Sequence, residues 1–126
     1  MTVRNMAVTF DLDMMNYVEG TVNPNELTDC FYEISKILRE FSDIKTTWFI
    51  RVDSQIEALF SRPDYVFHHN TSEIRWLREN GHQIAWHHHA YRLCDKGWVQ
   101  EIDQNLICQD LIRFGEIAQQ FSLTTV

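Results

Sequence analysis

The sequence predicts an α/β fold on a parallel sheet, with elements in the order β-α-β-α-α-β-α and the start of a further strand. Three observations lead there. Short apolar or β-branched runs around Val8, Trp48 and Ile84 alternate with stretches whose apolar residues recur every three or four positions. Alternation of this kind implies right-handed crossovers between parallel strands. Each short run also ends in polar residues able to do chemistry: Asp11 and Asp13, Arg51 and Asp53, and the histidines after Trp86.

Residues 3–13 read as the first strand, with Val3, Met6, Ala7, Val8, Thr9, Phe10 and Leu12 in a near-continuous run that suits burial on both faces. It closes in Asp11-Leu12-Asp13, and an extended chain puts both carboxylates on the same side. Two like charges so close are unfavourable unless a cation or a proton lies between them. Residues 14–21 read as a loop.

A helix follows, with Asn23 as N-cap, Pro24 at the first helical position and Glu26 closing a capping box. Leu27, Cys30, Phe31, Ile34, Ile37, Leu38 and Phe41 form its apolar stripe, and Ser42 and Asp43 end it. Residues 45–52 make the second strand, rich in β-branched and aromatic side chains. Arg51 and Asp53 at its end read as a surface ion pair. Residues 54–60 read as a short helix, Pro63 interrupts, and His68-His69-Asn70-Thr71 reads as a polar loop with solvated histidines.

Thr71 or Ser72 then caps a helix carrying Ile74, Trp76 and Leu77, stopped by Asn80-Gly81. Ile84-Ala85-Trp86 is the third strand. Residues 92–97 read as a loop, and a long helix is expected from about Trp98 through Val99, Ile102, Leu106, Leu111, Phe114, Ala118 and Phe121. Residues 123–126 look like a fourth strand just beginning.

The 126 residues suffice for one domain with a core of its own. A formal charge of −7 argues against nucleic acid as a partner. No apolar run is long enough for a membrane span, and no signal peptide is visible. Cys30, Cys94 and Cys108, odd in number and unpaired in spacing, fit reduced thiols in a cytoplasmic protein. Cys30 and Cys108 fall within helical patterns and are expected in the core.

Four of the six histidines lie between His82 and His89. His87, His88 and His89 fall where the third strand runs out, the end of an α/β strand at which ligands bind. A metal is the usual partner that gathers adjacent imidazoles. The plainer alternative is an exposed loop in which Asp11, Asp13 and the histidines are unrelated polar residues. One aspartate and two histidines make a three-ligand set with open positions, as in catalytic zinc sites. Such a metal acidifies a water and polarises a carbonyl oxygen, and a second carboxylate can take the proton.

These stretches resemble the NodB-type polysaccharide deacetylases. Thr9-Phe10-Asp11-Leu12-Asp13 resembles that family's first motif, in the variant with one residue between the acids. Thr46-Thr47-Trp48-Phe49-Ile50 is similar to its second-strand segment, and Gly81-His82-Gln83-Ile84-Ala85-Trp86-His87 to its Gly-His-Glu-Ile-Gly-Asn-His motif. The three agree in order and spacing and cover most of the chain up to Tyr91.

The resemblance implies a distorted (β/α) barrel, of which this chain would be the first half, and metal-dependent removal of acetyl groups from N-acetylated sugars, with a divalent metal, zinc, as cofactor. It implies Asp11 as general base and Asp13 and His87 as metal ligands. The family's second histidine falls on Tyr91, so His89 takes that role on spacing, because alternate residues of an extended segment point the same way; His88 is the other candidate. The family's arginine-bearing fourth-strand motif and its later acid histidine have no counterpart before Val126. The resemblance thus implies the N-terminal part of a deacetylase, inactive alone, and self-association of half-barrels is expected. Carbohydrate is the implied substrate.

Two rivals stand beside this reading. One is a non-catalytic relative that binds metal or carbohydrate. The other is a phosphatase of the haloacid-dehalogenase type, whose strand ending in Asp-x-Asp resembles Val8-Thr9-Phe10-Asp11-Leu12-Asp13. That family continues with Gly-Thr where this chain has Met14-Met15, and it has no use for a histidine cluster.

Overall fold

Thr46, Thr47, Trp48, Phe49 and Ile50 favour extended backbone, and they form the strand at the centre of the fold. The computed structural model describes residues 7–13 and 25–121. In it β2 (Thr46–Arg51) lies between β1 (Val8–Asp11) and β3 (Gln83–His87), with both pairings parallel. Helix α1 (Glu26–Leu38) lies between β1 and β2 in the chain, and α2 (Ser54–Phe60), α3 (Tyr65–His69) and α4 (Thr71–Glu79) lie between β2 and β3. An antiparallel hairpin, β4 (Tyr91–Cys94) and β5 (Gly97–Gln100), follows β3 and leads to α5 (Gln104–Gln119). The described residues thus form a mixed α/β fold with a three-stranded parallel sheet and five helices.

Register divides the sheet into two unlike faces. Phe10 is level with Trp48 and Trp48 with Ile84, and Ile50 is level with Trp86. Residues level in a sheet point the same way, so these five share one face. Phe31 of α1 packs on Trp48 with ring centroids 4.8 Å apart, and Gly115 of α5 lies against the Trp86 ring. Trp48 and Ile50 are fully buried there, and burial of each such side chain contributes about 1.5–3 kcal/mol.

The opposite face carries Thr9, Asp11, Thr47, Phe49, Gln83 and His87, none of which is buried, together with Ala85 and Arg51, which are buried. The expectation that β1 is buried on both faces is therefore corrected: Val8 and Phe10 are half-buried, while Thr9 and Asp11 are exposed. Nothing among the described residues covers that second face of β1.

Several local expectations also change. Residues 92–97 are not a loop, and no helix starts at Trp98. Gly97, at φ +97°, lets the chain reverse after Asp95-Lys96, so Leu93 pairs with Trp98 as neighbouring strands. The helix begins only after Asp103, whose carboxylate accepts from the backbone N–H groups of Asn105 and Leu106. His68 and His69 belong to α3, not to a polar loop. Thr71 is the first residue of α4, and Asn70 rather than Thr71 or Ser72 precedes it as N-cap.

Cys30 and Cys108 are exposed, against expectation. At about 100° per residue, Cys30 lies about a quarter turn off the face that buries Leu27, Phe31 and Leu38. Cys108 is similarly displaced from the face that buries Phe114 and Ala118. The expected loop at 14–21, the Asn23 cap, Pro24 and the fourth strand at 123–126 lie outside the described residues. No described helix is long and apolar enough to cross a membrane.

At the amino end of the sheet His82 has a structural part. Its Nδ1 accepts from the Thr46 backbone N–H at 3.2 Å and stands 2.8 Å from Thr46 Oγ1. The indole Nε1–H of Trp48 donates to that same hydroxyl at 2.8 Å. Nδ1 thus carries no hydrogen, and the network ties two strands together below the core.

Candidate metal centre

Parallel strands end on the same edge, so the polar groups closing them are carried to one place. Asp11 is level with Phe49, and Arg51 is level with His87. The ladder runs one step further through Leu12 N–H to Phe49 O at 3.1 Å and Val52 N–H to His87 O at 3.2 Å. Asp13, two residues past Asp11, is thereby brought level with Arg51. Leu12 is buried between two exposed aspartates, an alternation that sends both carboxylates to the open side.

Four of the residues singled out from the sequence come together here. His87 Nδ1 is 3.9 Å from Asp11 Oδ1, and His89 Nε2 is 3.8 Å from Asp13 Oδ2. The two rings meet directly, with Nε2 to Nε2 at 2.7 Å. At that distance one nitrogen carries the proton and the other accepts it. The carboxylate distances lie beyond hydrogen-bond range. His89 is held below the usual imidazole range by burial and by the Arg51 charge, against the opposing pull of Asp13.

His88 points elsewhere. Its ring lies 5.5 Å from that of Trp86 and 5.6 Å from that of Phe114, and Nδ1 approaches the Val52 carbonyl at 3.5 Å. Burial lowers its pKa in spite of that carbonyl. Tyr91 opens β4, and its backbone oxygen accepts from Ser54 Oγ at 3.0 Å.

The sequence alone points to a surface ion pair for Arg51 and Asp53. The structure corrects this, since the side chains are 2% and 0% exposed. Arg51 donates through Nε to Asp53 Oδ2 at 2.7 Å and through Nη2 to Asp53 Oδ1 at 3.0 Å, a bidentate pair. Nη2 also donates to Gln55 Oε1, and Nη1 donates to Asp13 Oδ1 at 2.8 Å. Asp53 is at the same time the N-cap of α2, with Oδ1 accepting from Gln55 N–H and Ile56 N–H. The legible signal was Asp53 immediately before Ser54-Gln55-Ile56, a capping position whose carboxylate needs a buried cation once covered.

Two carboxylates, those of Asp13 and Asp53, meet the one Arg51 guanidinium, and Asp11 adds a third acid to this edge of the sheet, where the two imidazoles stand Nε2 to Nε2. Oxygen and imidazole nitrogen are the donor types zinc takes. Among the described residues, no group of three or more His, Cys, Asp or Glu side chains stands ready-arranged as a metal site. Two nitrogens on one tetrahedral ion lie about 3.3 Å apart at ordinary zinc–nitrogen distances. The imidazole pair must therefore spread from 2.7 Å and give up its shared proton before both can face a cation.

Comparison with known proteins finds no matching family model, curated protein or solved structure.

Proposed function

We propose that this chain carries the cation-binding edge of a carbohydrate deacetylase of the NodB type, with Asp13, His87 and His89 as ligands and Asp11 as general base. The observation that carries the reading is convergence. Residues from two separate strand ends, 74 positions apart for Asp13 and His87 by sequence number, bring carboxylate and imidazole to the same edge of the sheet, as two His–Asp approaches joined by the His87–His89 contact. Zinc suits the mixed oxygen and nitrogen set. When bound, such an ion supplies an acidified water and polarises the carbonyl of an acetamide.

The chain's own groups do the rest. Asp11, with 63% of its side chain exposed, is open to solvent and placed to accept a proton beside His87. Arg51 and Asp53 are buried behind Asp13 and carry no face toward a substrate. The open face of the sheet supports a half-barrel, since strands of a (β/α) barrel cover one face with helices and turn the other inward. The histidine pair gives this reading an advantage over the phosphatase, which has no use for it.

Metal content of the purified chain and of the His87→Ala variant, with acetate release from N-acetylated sugar oligomers in added zinc or cobalt, tests the proposal. Stoichiometric zinc lost on substitution is expected. Equal metal content in both proteins counts against the site. Metal binding without acetate release, at any zinc or cobalt level, favours the non-catalytic relative instead.

A further inference from the structure

Arg51 is the most deeply buried cation of the cluster, and four of its five donors reach three partners. Nε and Nη2 are fixed by Asp53, Nη2 also by Gln55, and Nη1 reaches Asp13 Oδ1 at 2.8 Å. Asp53 in turn is fixed by the first backbone N–H groups of α2. The fork therefore cannot swing, and its free corner defines where one oxygen of Asp13 goes. The other oxygen, Oδ2, lies 3.8 Å from His89 Nε2.

We propose that Arg51 is the positioning residue for Asp13: it takes Oδ1 and aims Oδ2 at the imidazole pair, so that Asp13 serves a cation through one oxygen. This rests on the metal reading above. The Asp13 carboxylate is half exposed, and Arg51 meets it from its buried side. A planar guanidinium holds it in one direction, which a lysine, a single rotating point charge, does not reproduce. Groups that orient metal ligands in this way are commonly worth about 10- to 100-fold in metal affinity.

The test uses the full chain and cobalt(II), whose visible spectrum reports its ligand geometry. Arg51→Lys keeps the buried charge. The double variant Arg51→Met with Asp53→Asn removes the buried pair together, so that neither charge is left alone, and Asn still caps α2. Far-UV circular dichroism checks folding of each. The expected result is a cobalt dissociation constant raised about 10- to 100-fold in the double variant, with an altered visible spectrum, and a smaller change in Arg51→Lys. Wild-type affinity and an unaltered spectrum in a folded double variant overturn the role of Arg51 while leaving the metal site in place. Failure of the wild-type chain to bind cobalt or zinc overturns the metal reading itself, and this role with it.

Discussion

His87 Nε2 and His89 Nε2 stand 2.7 Å apart, while His88, between them in the chain, turns away toward Trp86 and Phe114. Three adjacent histidines therefore have two different physical jobs. Substituting His87 or His89 by Ala should abolish or strongly weaken zinc binding and leave the fold intact, since both rings face the open edge. His88→Ala should leave zinc affinity unchanged and lower stability by about 1–2 kcal/mol, in the ordinary range for loss of packed side-chain contacts. Calorimetric zinc titration and urea unfolding of the three variants check this together. Loss of zinc in His88→Ala with retention in His89→Ala would reverse the assignment.

Asp11 and Asp13 are separated by one residue but have different neighbours. Asp13 is tied to Arg51, whereas Asp11 is close only to His87 among the described ion-pair contacts. Asp13→Asn should lose the metal. Asp11→Asn should keep it and lose about 10²- to 10⁴-fold in acetate release, the usual worth of a general base. Zinc content measured beside the rate separates the two roles, and a metal-free Asp11→Asn protein would make both residues ligands.

Asp53 caps α2 and, alone among the described partners of Arg51, meets it through two nitrogens. Asp53→Ala leaves a buried guanidinium without that partner, and breaking a buried pair from one side costs about 3–5 kcal/mol. Asp53→Asn keeps the cap acceptor and should cost less. Urea midpoints of the two variants give the order, and an alanine variant as stable as wild type would mean that water or Asp13 takes up the charge.

The parallel strands and most helices were legible because one-sided burial imposes a period on the sequence. The hairpin was not. Trp98, Val99, Ile102 and Leu106 have a spacing that fits a helix as well as two strands, and the choice is made by Gly97 and by the Asp103 cap. Asp11, Asp13, His87 and His89 could be named because a parallel topology sends strand ends to one edge. Arg51 could not, since a charged residue beside an acid reads as exposed until the chain packs Asp53 under α2 and brings Asp13 across from 38 residues away. The cysteines were misplaced because a stripe of seven residues is wider than the face that the sheet covers.

His82 gives the fold an acid sensitivity distinct from the candidate site. Burial, with the Lys45 charge adding to it, lowers its pKa from the usual imidazole range, and its Nδ1 must stay unprotonated to accept from Thr46. The unfolded chain takes up a proton as pH falls through about 6.5, whereas the folded chain does so only at lower pH. Stability is therefore full above that range and declines as the solution is acidified. His88 and His89, also lowered by burial, act in the same direction. His82→Gln should flatten part of the slope of unfolding free energy against pH between about 6.5 and 5. It should also cost about 1–3 kcal/mol at neutral pH if the Thr46 N–H loses its acceptor. Urea unfolding at a series of pH values reads both, and an unchanged slope would assign the acid sensitivity to His88 and His89.

The open face of the sheet supplies the last prediction. Thr9 and Gln83 lie on it exposed and Thr47 and Phe49 half-buried, and β1 and β3 each have a single hydrogen-bonded neighbour among the described strands. Unpaired strand edges beside a half-buried aromatic favour pairing with another chain. A second copy offers the same face and the same edges, so two sheets can close on one another as a symmetric pair. Sedimentation velocity over a concentration series should show a dimer that dissociates on dilution. Thr9→Lys with Thr47→Lys, which places like charges on both facing sheets, should leave a monomer with unchanged far-UV circular dichroism. A wild-type chain that remains monomeric at the highest concentration would remove the pairing. A dimer indifferent to both lysines would move the contact to the exposed Leu111 and Ile112 of α5.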